Sequence, residues 1–279
     1  MAALNALRAR IGWVGLVLAG LVVAIALLGP FMAPHAPEAF VGAPFQPPNA
    51  AMPLGGDVLG RDVLSRVLTG GYRTLGLAAV ATLLGVAVGA ILGMAAGFFR
   101  GAADETIMRL LDVALAFPQT IFALLFLSIL GSEPWLTALV VAAIHAPQVA
   151  RVARAGALRI AAEDFVRHAE AIGMSPLRIL VTEILPNISV PLLVELGLRY
   201  TYSIALIAGL SFLGLGQQPP APDWGLMINE NRIGMASNPW PVLVPVTLIA
   251  VLTIGTNLFT DALSRSTAAA GEGQTTEVR

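Results

Sequence analysis

Long apolar runs, cut by short polar stretches, set the rhythm of this chain. Segments free of charge occupy residues 11–33, 74–99, 113–132, 134–150, 200–222 and 233–260. Each approaches or exceeds the roughly 20 apolar residues that a helical bilayer crossing requires. The pattern predicts an all-α, polytopic membrane protein with six transmembrane helices. The first run is too long for the roughly 7–15-residue core of a cleaved signal peptide and has no clear small-x-small site after it, so it is read as a retained span.

Two interruptions carry their own pattern. After the first span, "PFMAPHAPEAFVGAPFQPPNAAMPLGGDVLGRDVLSRVLTGG" is rich in proline as far as Pro53 and reads as irregular. From Asp62 the apolar positions Val63, Leu64, Val67 and Leu68 recur at helical spacing behind an N-capping aspartate, which predicts a short helix at the membrane surface. The second interruption is "FVRHAEAIGMSPLRILVTEILPN". Glu163 and Asp164 favour a helix start, and Phe165, Ala169 and Ile172 fall on one face. Gly173 suits a helix end that needs positive φ. Ser175 and Pro176 then suit an N-cap and first turn. The expectation is helix, glycine corner, helix, with the second helix ending at Pro186, after which the helix of the fifth span begins ahead of its uncharged core at 200–222.

Composition supports the membrane reading, because 57% of the 279 residues are hydrophobic, 12% are charged and mean hydropathy is +0.80. All sixteen basic residues are arginine. Without lysine there is no phosphate-binding GxxxxGK[ST] loop, so any nucleotide that powers this chain must bind to another. Cysteine is absent, which removes thiolate metal sites and cysteine nucleophiles, and a net charge of −1 argues against a nucleic-acid partner.

The arginines also predict sidedness. With six spans, one set of loops and ends holds Arg8, Arg10, Arg100, Arg109, Arg151, Arg154, Arg159, Arg167, Arg178, Arg265 and Arg279, and the other holds Arg61, Arg66, Arg73 and Arg232. Eleven against four places both termini in the cytoplasm. Trp240 fits an interfacial aromatic belt.

The remaining polar residues offer little chemistry. Glu195 and Arg199 are spaced i, i+4 near the cytoplasmic end of the fifth span and are candidates for lining a translocation path or for simple mutual neutralisation. His145 precedes Pro147 within the fourth span and reads as a hydrogen-bonded packing group. His35, His145 and His168 are too scattered for a metal site. A secondary transporter would show related halves and buried coupling-ion ligands, and an intramembrane hydrolase would need more than Ser211 and His145, since neither GxSxG nor HExxH occurs.

"HAEAIGMSPLRILVTEILPN" resembles the EAA loop of the membrane subunits of ATP-binding-cassette importers. Ala169, Gly173, Leu185 and Pro186 match its pattern, while Arg167 and His168 stand where it has Glu and Ala. "MPLGGDVLGRDVLSRVLTG", "DETIMRLLDVALAFP" and "LSFLGLGQQPPAPDWG" are similar to segments of the C-type permease subunit of the oligopeptide, dipeptide and nickel importers, with Met52 and Gly56 replacing His and Thr.

The resemblance implies a type I importer of MetI-like permease fold in a bacterial inner membrane, built of 1–33 (cytoplasmic N-terminus and first span), 34–73 (extracytoplasmic segment), 74–262 (permease core with coupling loop 151–186) and 263–279 (disordered cytoplasmic tail). It implies a second, B-type permease, two ATPase subunits carrying ATP and Mg, and an extracytoplasmic binding protein. This chain would hold no cofactor, metal or catalytic residue of its own. The ATPase contact would be the coupling helix from Phe165 through Arg167, His168, Ala169 and Glu170, continuing over Ala171, Ile172, Gly173, Met174, Ser175 and Pro176. On the outer face Asp57, Arg61, Asp62, Arg66, Asp223 and Trp224 would meet the binding protein. Peptides are the expected cargo, with nickel, glutathione or another small solute as alternatives.

Overall fold

The computed structural model describes residues 2–276, and side-chain surroundings over 10–265. Its helices are α1 (Ala2–Met32), α2 (Val63–Phe99), α3 (Gly101–Leu115), α4 (Gln119–Leu130), α5 (Pro134–Ile160), α6 (Asp164–Ala171), α7 (Pro176–Ile179), α8 (Leu185–Phe212), α9 (Trp224–Asn231) and α10 (Trp240–Thr276). A π-turn, Leu180–Ile184, joins α7 to α8, and a 3-10 turn, Arg232–Gly234, follows α9. Among the described residues the only β pairing is two isolated bridges, Phe40 with Arg61 and Gly56 with Asp62. Five helical stretches are long and apolar enough to cross a membrane, and the bent pair α3–α4 makes a sixth if counted as one span.

α2 is the central post. It packs along α5 over nearly its whole length and also touches α1 and α8, while α1 lies against α10. The α2–α5 seam is made by Gly85, Gly89, Gly93 and Gly97, four residues apart on one stripe. A Cβ on Gly89 would come within 2.5 Å of the Ala146 carbonyl oxygen, and one on Gly93 within 2.2 Å of that of Ala150. Lipid is as apolar as leucine, so spans associate through such close backbone approach rather than through a hydrophobic drive.

Two buried clusters flank this seam. One, toward α9, includes Val67, Leu75, Ala78, Val141, Ile207 and Trp224; the other, toward α6, joins Met94, Val149 and Ala153 to Val166, Ala169, Ile179 and Ile184.

Several sequence-based boundaries move, for identifiable reasons. The expected surface helix after Asp62 is the first two turns of α2 itself. Asp62 caps it, its carboxylate accepting from the Ser65 amide, but Gly70 and Gly71 do not end it. They are the flat seat for the Trp224 ring, which a Cβ on Gly71 would meet at 2.5 Å. The third span is broken rather than straight: α3 and α4 meet at 86° where Pro118 disfavours helical backbone at Phe117. The fifth span begins beside Pro186 as expected and runs on from α7, its Glu195 and Arg199 charges pairing with each other on one helix face, but it ends at Phe212 rather than continuing to 222. It stops at Gly214 (φ 84°), where Leu215 N–H donates to Leu210 O and Gly214 N–H to Ser211 O. The sixth span begins at Trp240, with irregular chain over 235–239 before it.

No break separates a tail at 263. α10 continues to Thr276, through alanines of high helix propensity at 268–270. Residues 277–279, including Arg279, lie outside the described residues.

Candidate functional site

At the α6 end of the bundle the glycine corner is built as its sequence demands. Gly173 has φ 81°. Met174 N–H donates to Ala169 O and Gly173 N–H to Glu170 O, both at 3.0 Å, the paired bonds of a Schellman cap. Ser175 is extended and Pro176 opens α7, although the Ser175 side chain makes no capping bond. Leu185 N–H reaches back five residues to Leu180 O, widening one turn just ahead of Pro186, which has no N–H to give.

The apolar face of the corner differs from the one read from spacing. Val166 and Ala169 point inward with Ile179 and Ile184 and fuse the corner to the ends of α2 and α5. Phe165 and Ile172 point outward, joined by Leu177 and Val181, and Ile172 and Leu177 are 65% and 72% exposed. Arg167, His168, Glu170 and Ala171 are exposed around them, and Met174 is half-buried beneath. The result is a firmly seated knob with an uncovered apolar tip. Beside it, Arg154 on α5 makes a two-pronged ion pair with Asp104 on α3 (2.5 and 2.6 Å), and Arg151 reaches Asp112 at 2.6 Å.

At the α9 end the six residues expected to meet a binding protein are all buried within the chain. Asp57 Oδ2 lies 2.6 Å from Arg61 Nε and 3.3 Å from Arg66 Nε. Glu230 Oε2 accepts from both arginines, at 3.0 and 3.1 Å. Arg66 also donates to the carbonyls of Pro37 and Pro220. Asp62 holds Ser65 and His35. Asp223 accepts from Thr74 Oγ1 at 2.7 Å and caps α9 through the Leu226 amide. Trp224 donates its indole N–H to Val67 O at 2.9 Å. Asn238 bridges to Leu54 O and Gly56 O, and Asn231 accepts from the Val58 amide. Charges this deep are tolerated because each meets an opposite charge or a backbone dipole. The motif thus locks the segment before α2 to the segment around α9 as one cap, whose outer surface is presented by other residues, among them Phe40, Leu59 and Ile233.

Midway along α5 and α8 the structure brings Glu195 and Arg199 together at 2.9 Å and adds Gln148, whose side-chain oxygen accepts from Arg199 Nη1, with the guanidinium 5.2 Å from the Tyr202 ring centre. Gln148 was not singled out from sequence, where no local signal distinguishes it. His145 is fully buried, and neither ring nitrogen has a hydrogen-bond partner among the described residues, unlike the satisfied packing group expected. Among the described residues no group of three or more His, Cys, Asp or Glu is placed to hold a metal ion.

Residues 85–269 match the family described as binding-protein-dependent transport system inner membrane component. Over 210 residues, 75% of this chain and 69% of the relative, the chain is 40% identical to the glutathione transport system permease protein GsiD of Escherichia coli O6:K15:H31 (strain 536 / UPEC). It is equally identical over the same shares to that of Shigella boydii serotype 4 (strain Sb227), and 39% identical to that of Shigella dysenteriae serotype 1 (strain Sd197). An all-helical fold with five to six apolar crossings, no lysine for a nucleotide cradle, and a family match over most of its length agree on one point: this chain belongs to the binding-protein-dependent transport system inner membrane components, the permease subunits of ABC importers, and is a membrane component rather than an enzyme.

Proposed function

We propose that this permease forms half of a translocation path for short peptides, glutathione-like tripeptides included, working beside a second permease and driven by two ATPase subunits. The cargo reading is supported by the name of the relatives, glutathione transport system permease protein, and by the peptide-importer motifs in the sequence. The alternating-access reading rests on the corner at 164–184. Its inner face is continuous with the cluster that joins α2, α5 and α8, so a push on its exposed tip moves those helices rather than a loose loop. An ATPase groove that closes on Phe165, Ile172 and Leu177 would convert nucleotide binding into rigid-body motion of the spans. The cap at the α9 end would receive the loaded binding protein. The arginine distribution supports a cytoplasmic side for the corner and both termini.

Sidedness is open to a direct check. Reporters active on only one side of the membrane, fused at Pro48 and Pro220, are expected to read as extracytoplasmic. A cytoplasmic signal at either would reverse the assignment of corner and cap.

The coupling role is tested by Gly173→Val. No atom lies within 4 Å of a Cβ built at Gly173, so the substitution acts only through the backbone, where a β-branched residue at this φ costs about 1–3 kcal/mol. Re-aiming α6 against α7 is expected to lower import much more than ATP hydrolysis in the assembled complex. In the cysteine-free background, a single cysteine at Ala171 should cross-link to one placed in the ATPase groove. Import at the unmodified rate, with no cross-link in any nucleotide state, would reduce the corner to a connector.

A further inference from the structure

We propose that Arg199, aimed by Gln148 and Glu195, is a carboxylate-binding residue within the translocation path and that Gln148 is its positioning residue. This deepens the short-peptide reading and rests on it, since every unblocked peptide carries a carboxylate.

The placement is the first argument. Glu195 and Arg199 lie in the middle of α8, ten and fourteen residues after its first residue, Leu185. At about 1.5 Å per residue that is roughly 15 and 21 Å along the helix, near the centre of a bilayer core of about 30 Å. Ionisable groups at such depth are costly and by default mark a pathway.

The second argument is how the group is held. Two of the three guanidinium nitrogens are committed on different sides, Nε donating to Glu195 Oε2 and Nη1 to the Gln148 side-chain oxygen across the α5–α8 contact. Gln148 itself lines a small cavity of about 80 Å³ with Phe117, Gln119 and Phe122, where the α3–α4 bend meets α5. Among the described residues, Arg199 Nη2 and Glu195 Oε1 have no hydrogen-bond partner, and both side chains remain 12% exposed. A pair built only to neutralise itself needs neither the glutamine from a second helix nor a guanidinium nitrogen left without an acceptor. Fixing Nε and Nη1 leaves Nη2 as a pre-oriented donor, and the charge-assisted bond it offers is the kind a carboxylate accepts. The free Glu195 oxygen beside it suits the ammonium or amide N–H of the same solute.

The test uses the whole importer in proteoliposomes, with binding protein saturated by trialanine or by trialanine amide so that recognition before delivery does not limit the rate. Maximal import of the free acid over the amide is the readout, and co-purification of all subunits reports folding. The decisive variant is the double Glu195→Gln/Arg199→Gln, which removes both charges together and strands neither in lipid. The unmodified complex should favour the acid by about tenfold, the effect of one charge-assisted hydrogen bond, and the double variant should bring the ratio near one. Arg199→Lys should restore part of the preference, and Gln148→Leu should lower it with the charge still present. An unaltered acid-to-amide ratio in the assembled double variant would overturn the assignment alone. Failure of the assembled, unmodified complex to import either peptide would overturn the short-peptide reading and this assignment with it.

Discussion

Gly93→Leu is expected to abolish accumulation of the folded chain, while Gly76→Ala and Gly209→Ala leave it unchanged or slightly raised. All three sites are helical glycines in membrane-crossing segments, and hydropathy does not separate them. The difference is what lies opposite. A Cβ at Gly93 meets the Ala150 carbonyl oxygen at 2.2 Å and Ala153 Cβ at 2.7 Å, whereas nothing lies within 4 Å of one at Gly76 or Gly209. Neither obstacle at Gly93 is the end of a flexible side chain, so α2 and α5 must separate along their whole seam. Overpacking alone costs about 1–3 kcal/mol, and the side chain of leucine also forfeits the neighbouring close contacts at Gly89 and Gly97. At the two open sites alanine gains up to about 1 kcal/mol of helix propensity with no clash. Thermal midpoints of the detergent-purified chain, with Gly93→Ala as the milder member of the series, would order these effects. Equal midpoints for Gly93→Ala and Gly76→Ala would show that the glycine stripe is not what joins the two helices.

The spacing of that stripe was legible in the sequence as GVAVGAILGMAAG, four glycines at intervals of four, yet hydropathy passes over it because glycine neither raises nor lowers an apolar run enough to register. Where local chemistry decides, sequence and structure agree. Gly173 adopts the left-handed conformation its position requires, Asp62 caps α2, and Pro176 opens α7. The misplaced boundaries are those where a distant partner decides. Gly70 and Gly71 look like a helix end until the Trp224 ring, more than 150 residues away, fills the space beside them. Arg61 and Arg66 look available to a partner protein because one of their two counter-charges, Glu230, is as remote. The fifth span extends through Glu195 and Arg199 ahead of its uncharged core for a related reason, since an ion pair on one helix face is far less polar than the two charges that a hydropathy window counts. The glycine corner was visible as a shape, but which of its apolar residues face inward depends on α2 and α5, so Val166 rather than Phe165 forms the seat.

The cap at the α9 end supplies the other large effect. Arg66→Met is expected to loosen the cap without disturbing the spans. Arg66 is fully buried and touches Asp57, Glu230 and the carbonyls of Pro37 and Pro220, so it joins three separate stretches of chain. Methionine fills comparable space but leaves two carboxylates with only Arg61 to share between them. Removing one partner from a buried ionic network costs about 3–5 kcal/mol, more than the amide bonds of an irregular loop can absorb. Hydrogen exchange is the suitable probe, because the cap is held by backbone bonds such as Val41 N–H to Gly60 O, Gly56 N–H to Gln46 O and Asp57 N–H to Arg61 O. In Arg66→Met the amides over 41–62 should lose protection, and those of α9 should follow because Glu230 and Asn231 are part of the same network. Amides in α5 should exchange as before. Arg66→Lys should fall between the two, since it retains the charge but cannot reach both carboxylates and both carbonyls from one planar fork. If the cap is where the loaded binding protein docks, the concentration of that protein needed for half-maximal import rises in the same order. Unchanged protection over 41–62 in Arg66→Met would mean that the buried arginine is incidental and that the proline-rich segment holds its shape by other means.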